Sequence, residues 1–187
     1  MTCYGITWTW LADLGLCMKE DVAKQIVDDV KLYGRIGYMA PEVLRRKLYT
    51  KAADVYSFGI ILWELTSCQM PFSNHSNVSN NTIPLILEIS KGERPEIVEG
   101  TPPAFAKLIQ DCWNQDPTLR PTMEEVYKKI WSFSNSMIFK GNSRDKYGFK
   151  AAEINRSLRL SAMTAGQIYP LIIPSQIMQP PINYVGK

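Results

Sequence analysis

Ile6, Trp8 and Trp10 alternate with Thr7, Thr9 and Leu11. A period of two carried by β-branched and aromatic residues predicts a strand. From Gly15 to Tyr38 apolar and charged positions mix without a sustained period, and the stretch reads as a long loop. Regular patterning returns at Thr50, a residue suited to a helix N-cap. The segment Lys51–Ser67 carries Ala52, Ala53, Val55, Phe58, Ile60, Ile61, Leu62, Trp63 and Leu65. A helix with apolar residues nearly all round is buried on most faces. Asn74–Asn81 is a polar loop, and Ile83–Lys91 reads as a short helix stopped by Gly92. Thr101 then reads as a cap with Pro102 at the first helical position. Phe105, Leu108, Ile109, Cys112 and Trp113 follow at amphipathic-helix spacing. Thr122 and Glu125 form a capping-box pattern. Met123, Val126, Tyr127, Ile130 and Trp131 repeat the helical stripe. Past Ser134 the pattern weakens. A short helix is predicted over Phe149–Leu160, and Tyr169–Lys187, with four prolines, reads as unstructured. There is no internal repeat.

The pattern therefore describes a mainly helical domain over 1–134, entered by one strand and a long loop, and a tail over 135–187. A length of 187 residues suits one domain plus a tail. Hydrophobic residues at 45% and charged residues at 21% are ordinary for a globular protein. They exclude wholesale disorder, a collagen-like fibre and a disulfide miniprotein. Apolar runs are too short to span a bilayer. Met1–Cys17 lacks Lys and Arg and contains Asp13, unlike a secretory signal. Cys3, Cys17, Cys68 and Cys112 show no Cys-x-x-Cys spacing and read as reduced thiols. These features point to an intracellular, cytoplasmic protein. Residues 1–134 carry 14 basic and 16 acidic side chains, whereas 135–187 carry 7 and 2. The basic charges of the tail are scattered among Pro, Ser and Gln, which fits a solvated tail. No specific nucleic-acid or membrane partner is expected.

Three segments say more than composition can. The first is Gly37-Tyr38-Met39-Ala40-Pro41-Glu42, followed by Val43-Leu44. The second is Asp54-Val55-Tyr56-Ser57-Phe58-Gly59, then Ile60-Ile61-Leu62-Trp63-Glu64-Leu65, with Pro71-Phe72 after it. The third is Cys112-Trp113, Asp116-Pro117 and Arg120-Pro121-Thr122. In this order and spacing they resemble the C-terminal lobe of a eukaryotic protein kinase of the tyrosine-kinase-like type, over roughly residues 10–134.

The resemblance implies a protein-kinase C-lobe-like helical domain, and ATP and Mg²⁺ as the family's cofactors. Ala12-Asp13-Leu14-Gly15 is similar to the family's Asp-Phe-Gly, with Leu for Phe. Asp13 then stands at the position that binds Mg²⁺, a hard cation suited to carboxylate. Asp13 to Glu42 becomes the activation segment. It contains no Ser or Thr, which leaves Tyr33 as the candidate phosphosite, since Tyr38 lies inside the motif. Gly34-Arg35 stands where Ser/Thr-selective relatives often carry Gly-Thr, so the choice between Ser/Thr and Tyr stays open. Glu42 is implied to pair with Arg120, a bidentate match of carboxylate and guanidinium. Met39, Val43, Leu44, Trp113 and Leu119 are expected to shell that pair. Asp54 is implied to accept hydrogen bonds from the catalytic-loop backbone; without that loop it is expected to sit buried and short of donors, or to find local N–H groups near Thr50–Ala53.

Other parts of the family pattern are absent from these residues. No Gly-x-Gly lid occurs. There is no Val-Ala-Ile-Lys-type lysine and no His-Arg-Asp loop, and the lone His75 lies in the polar loop. The chain thus lacks the N-terminal lobe and catalytic loop, and Asp13 alone is expected to hold Mg²⁺ weakly. Two readings follow: an incomplete, inactive kinase domain, or a pseudokinase-like module. In either case a protein substrate or signalling partner would meet the activation segment and the 83–91 helix.

Overall fold

The computed structural model describes residues 35–45, 49–73, 83–139 and 144–162. The strand expected near Ile6–Leu11, the activation segment before Arg35, the polar loop 74–81 and the segment Tyr169–Lys187 lie outside the described residues. What is described is mainly helical, and it contains no strand. A 3₁₀ turn, Ile36–Tyr38, leads into α1, Pro41–Leu44. Then come α2, Lys51–Ser67; α3, Ile83–Lys91; α4, Pro103–Cys112; α5, Met123–Phe139; and α6, Arg144–Ala162. No helix among the described residues is long and apolar enough to cross a membrane.

Helix α2 is the centre of the body. Thr50 caps it, its Oγ1 accepting from the Ala53 N–H at 3.2 Å. Cys68 ends it in the left-handed conformation, φ 60°, and donates its N–H to the Glu64 carbonyl. Val55, Tyr56, Gly59, Ile60, Leu62 and Trp63 of α2 are buried, while Ile61 and Leu65 face out. Its main partner is α4, which buries Leu108, Ile109 and Cys112. Gly59 lets the two helices approach closely. A Cβ placed there would lie 2.7 Å from the Cys112 Cβ and 3.3 Å from the Trp113 nitrogen.

The helix ends follow backbone chemistry. Gly92 closes α3 at φ +112°. Its N–H reaches the Ile89 carbonyl, and the Glu93 N–H reaches that of Glu88. This is the paired bonding of a Schellman cap. At α4 the start falls one residue later than Thr101-Pro102 suggests. Pro102 stays extended, at φ −55° and ψ 134°, and Pro103 is the first helical residue. A residue before proline is pushed out of the helical region, so the second proline of the pair begins the helix. At α5 the capping box forms: the Glu125 carboxylate accepts from the Thr122 N–H at 2.7 Å, and Thr122 Oγ1 accepts from the Glu125 N–H at 3.3 Å.

Three features differ from the sequence pattern. The apolar stripe of α5 is only partly covered. Val126 is buried, yet Met123, Tyr127 and Trp131 are exposed. Phe133 of α5 meets Phe105 of α4 edge to face at 6.2 Å, so α4 covers only one side of the stripe. The boundary drawn at 134 also falls inside α5, which runs to Phe139. Helix α6 extends beyond 149–160 at both ends and docks on the end of α2. Arg159 Nη2 donates to the Thr66 carbonyl at 2.8 Å, and Arg156 Nη1 approaches Cys68 Sγ at 3.9 Å. These are contacts between residues about ninety positions apart, to which local periodicity is blind.

Candidate functional site

The segment that leads into the helical body is shaped by its proline. Ala40, preceding Pro41, is held extended at ψ 145°. Pro41 opens α1 at the position where its missing N–H costs nothing. The turn beforehand is tied to α2 by two side chains. Ser57 Oγ donates to the Tyr38 carbonyl at 2.7 Å, and Tyr38 Oη donates to Glu64 Oε2 at 2.8 Å. Met39 through Leu44 are all buried, and Glu42 is carried inward with its apolar neighbours.

Arg120 meets it from the far end of the domain. Asp116 Oδ1 accepts from the Thr118 N–H at 2.8 Å and shapes the 3₁₀ turn Pro117–Leu119, which delivers Arg120. Its Nη1 donates to Glu42 Oε1 at 2.7 Å, and its Nη2 donates to Glu42 Oε2 at 2.9 Å. Two further N–H groups are used, so that each of its three nitrogens donates. Nη1 reaches the Ala52 carbonyl at 2.9 Å, and Nε reaches that of Asn114 at 2.8 Å. The guanidinium is wholly buried and the carboxylate is 10% exposed. One arginine therefore ties together α1, the start of α2 and the connection after α4. Desolvation offsets much of the attraction in such a pair, but the forked geometry and the satisfied donors are what make burial tolerable.

The packing around the pair differs from expectation in one place. Trp113 is buried, but Leu119 is 66% exposed. The group that lies against Arg120 is Tyr56, whose ring centre is 5.2 Å from the guanidinium carbon. Arg94 stacks on the same ring at 4.9 Å. Arg94 in turn donates to the carbonyls of Trp113 and Ile89 and to Gln115 Oε1, stitching α3 to the chain after α4. Tyr56 lies inside the second motif without a role of its own there, and Arg94 lies in no motif. Arg94 gives only the faint signal of a charged residue between a glycine cap and Pro95.

Burial raises the Tyr56 phenol to about 12, against the opposing charges of Arg94 and Arg120. Its hydroxyl is buried and finds no hydrogen-bond partner among the described residues. Tyr56→Phe is therefore expected to be neutral, or to stabilise by about 1 kcal/mol, because an unsatisfied buried hydroxyl is removed while the ring is retained. Urea unfolding measures it. A loss above about 1 kcal/mol would show that the hydroxyl has a partner. Burial and the neighbouring Asp111 charge raise the Cys112 thiol to about 12, which makes it an unreactive core group.

Asp54 corrects an expectation. It lies in the first turn of α2 and is exposed, not buried. Enough water is nonetheless displaced nearby to hold its carboxyl above the ordinary value. A raised acid weighs slightly against folding when ionised, and this cost disappears as pH falls through the raised pKa. Asp54→Asn is thus expected to change stability by no more than about 0.5 kcal/mol at pH 7, with wild type and variant converging below the unfolded value of 3.8. A loss of several kcal/mol in urea would reveal a strong partner.

The structure thus brings Glu42 and Arg120 together and leaves Asp54 apart. Asp13 and Tyr33 lie outside the described residues. Among the described residues no group of three or more His, Cys, Asp or Glu could hold a metal ion.

Residues 8–130 match the family model for the protein tyrosine and serine/threonine kinase domain. The chain belongs to the protein kinase family. It is 34% identical over 132 residues to a probable LIM domain-containing serine/threonine-protein kinase of Dictyostelium discoideum, an alignment covering 71% of this chain and 19% of that protein. It is 35% identical over 116 residues to a serine/threonine/tyrosine-protein kinase of Arabidopsis thaliana, covering 62% and 28%. A dual specificity protein kinase of Dictyostelium discoideum is 34% identical over 120 residues, covering 64% and 23%. The chain therefore spans less than a third of the length of each of these relatives.

Proposed function

We propose that this chain carries the C-terminal, substrate-facing lobe of a protein kinase of the tyrosine-kinase-like type, and that alone it does not transfer phosphate. The observation that carries the reading is the buried fork between Glu42 and Arg120. It anchors the Ala40-Pro41-Glu42 end of the activation segment to the last helices, so a substrate-facing loop has a rigid base. The reaction of a whole kinase domain is transfer of the ATP γ-phosphate, with Mg²⁺, to a protein hydroxyl. In this chain Asp13 is the residue proposed to meet the metal, and Tyr33 the residue proposed to be phosphorylated. Its partners would be a protein substrate or signalling protein, in the cytoplasm.

Phosphoryl transfer is catalysed chiefly by positioning and by stabilising charge. The lid, the lysine and the His-Arg-Asp loop that do this in the family are not among these 187 residues. The purified chain is expected to incorporate no labelled phosphate from ATP into generic Ser/Thr or Tyr substrates. Clear turnover that Asp13→Ala abolishes would overturn the reading.

A pseudokinase-like interaction module is the second reading. It is favoured by Ile83 and Leu87, which lie one turn apart on α3 and are 60% and 53% exposed. Sequencing the transcript upstream of Met1 separates the two. An in-frame glycine-rich loop, lysine and His-Arg-Asp segment supports the kinase, and their absence supports the module.

A further inference from the structure

Helix α5 is apolar over a wider arc than the domain covers. At about 100° per residue, Phe133, Val126, Ile130, Met123, Tyr127 and Trp131 succeed one another around the helix over about 160°. The first three pack inward, Val126 fully and the others in part. The last three are 45%, 62% and 56% exposed. Tyr127 and Trp131 stack on each other, ring centres 6.2 Å apart and planes 22° apart, and form a flat aromatic ledge.

We propose that this ledge is the docking site of the chain's own C-terminal segment, residues 168–178. The sequence supplies the chemistry. From Thr164 to Gly186 there is no Asp, Glu, Lys, Arg or His. Ile168, Tyr169, Leu171, Ile172, Ile173, Ile177 and Met178 fall there among Pro170 and Pro174. Proline-containing apolar segments dock on exposed aromatic side chains because the extended backbone loses little entropy on binding. The segment also reaches. Helix α6 ends at Ala162, has 19 residues and contacts α5. Its length is about 28 Å. The nine residues 163–171 span about 30 Å when extended, enough to return along α6 to α5.

The size of the ledge favours a tethered occupant over a second copy. Aromatic side chains present roughly 150–250 Å² each. Three side chains about half exposed therefore offer roughly 300 Å². A stable dimer needs about 800 Å² per partner. A segment on a short tether meets its site at an effective concentration in the millimolar range, and so a small patch suffices.

The test replaces Trp131 by p-benzoylphenylalanine in the full chain, irradiates at low concentration and maps the adducts by mass spectrometry. The expected result is an adduct within one chain, to residues 168–178. Leu171→Asp with Ile172→Asp should lower its yield about tenfold, because a charge cannot be left on the ledge cheaply. The same probe at Ser132, also exposed on α5 but at least about 100° around the helix from each ledge residue, should give little of it. An unchanged thermal melt of the probe-bearing protein shows that the fold is kept. No adduct to the tail, equal yields from both probe positions, yields insensitive to the Asp substitutions, or adducts joining two chains would each overturn the proposal.

Discussion

Glu42→Ala and Arg120→Ala are each expected to destabilise the domain by about 3–5 kcal/mol. Removing either partner strands the other. The Arg120 guanidinium has no exposure at all and the carboxylate only 10%, so neither can recover its hydration without opening the structure. The double variant should cost much less than the sum, because no charge is then left unpaired. It will still cost something, since Arg120 also holds the Ala52 and Asn114 carbonyls. Arg120→Lys should rescue only in part, because an ammonium cannot fork across both carboxylate oxygens and reach those carbonyls as well. Urea unfolding of the four proteins of the cycle measures the coupling. Additive losses, or single losses below about 1 kcal/mol, would mean that the pair is not a buried tether.

Gly59→Ala is expected to cost about 1–3 kcal/mol and to lower Tm by about 2–12 °C. Alanine is ordinarily the better helix former by about 1 kcal/mol, so a loss here runs against propensity and reports crowding. The added methyl would stand 2.7 Å from the Cys112 Cβ. The clash is with Cβ and not with sulfur. Cys112→Ala should therefore give no relief, whereas Cys112→Gly should couple favourably with Gly59→Ala. Thermal melts of these combinations decide it. A stabilised Gly59→Ala protein would show that α2 and α4 are farther apart than described.

Where a signal was local, the sequence carried it. The bounds of α2 and α3 follow from Thr50, the apolar run and Gly92, because caps and periodicity act within a few residues. The capping box at Thr122 was legible for the same reason. At α4 the start falls one residue past the cap pattern because two competing rules meet at Pro102-Pro103, and the restriction before proline prevails. The site was legible in its two ends only. Glu42 and Arg120 came from a family resemblance, while the ring between Arg120 and Arg94 did not, because nothing in Val55-Tyr56-Ser57 reports a charge arriving from far along the chain. The exposure of Asp54 and Leu119 is hidden from the sequence on the same ground. A residue beside apolar neighbours in sequence need not share their burial. The exposed half of the α5 stripe shows the limit of periodicity, which says that a face is apolar and not what covers it.

The 78 positions between Glu42 and Arg120 also separate them in time. At about 5–20 residues per second, a ribosome adds that length in about 4–16 s. Throughout that interval the carboxylate exists and its guanidinium does not. Glu42 must remain hydrated, and Met39, Val43 and Leu44, which flank it on the same short segment, cannot settle into the body without carrying an unpaired charge inside. Helix α2 can form as it emerges, but the segment before it is held open until the connection between α4 and α5 has been made. The order of synthesis thus makes Arg120 the residue that lets this segment close onto the body.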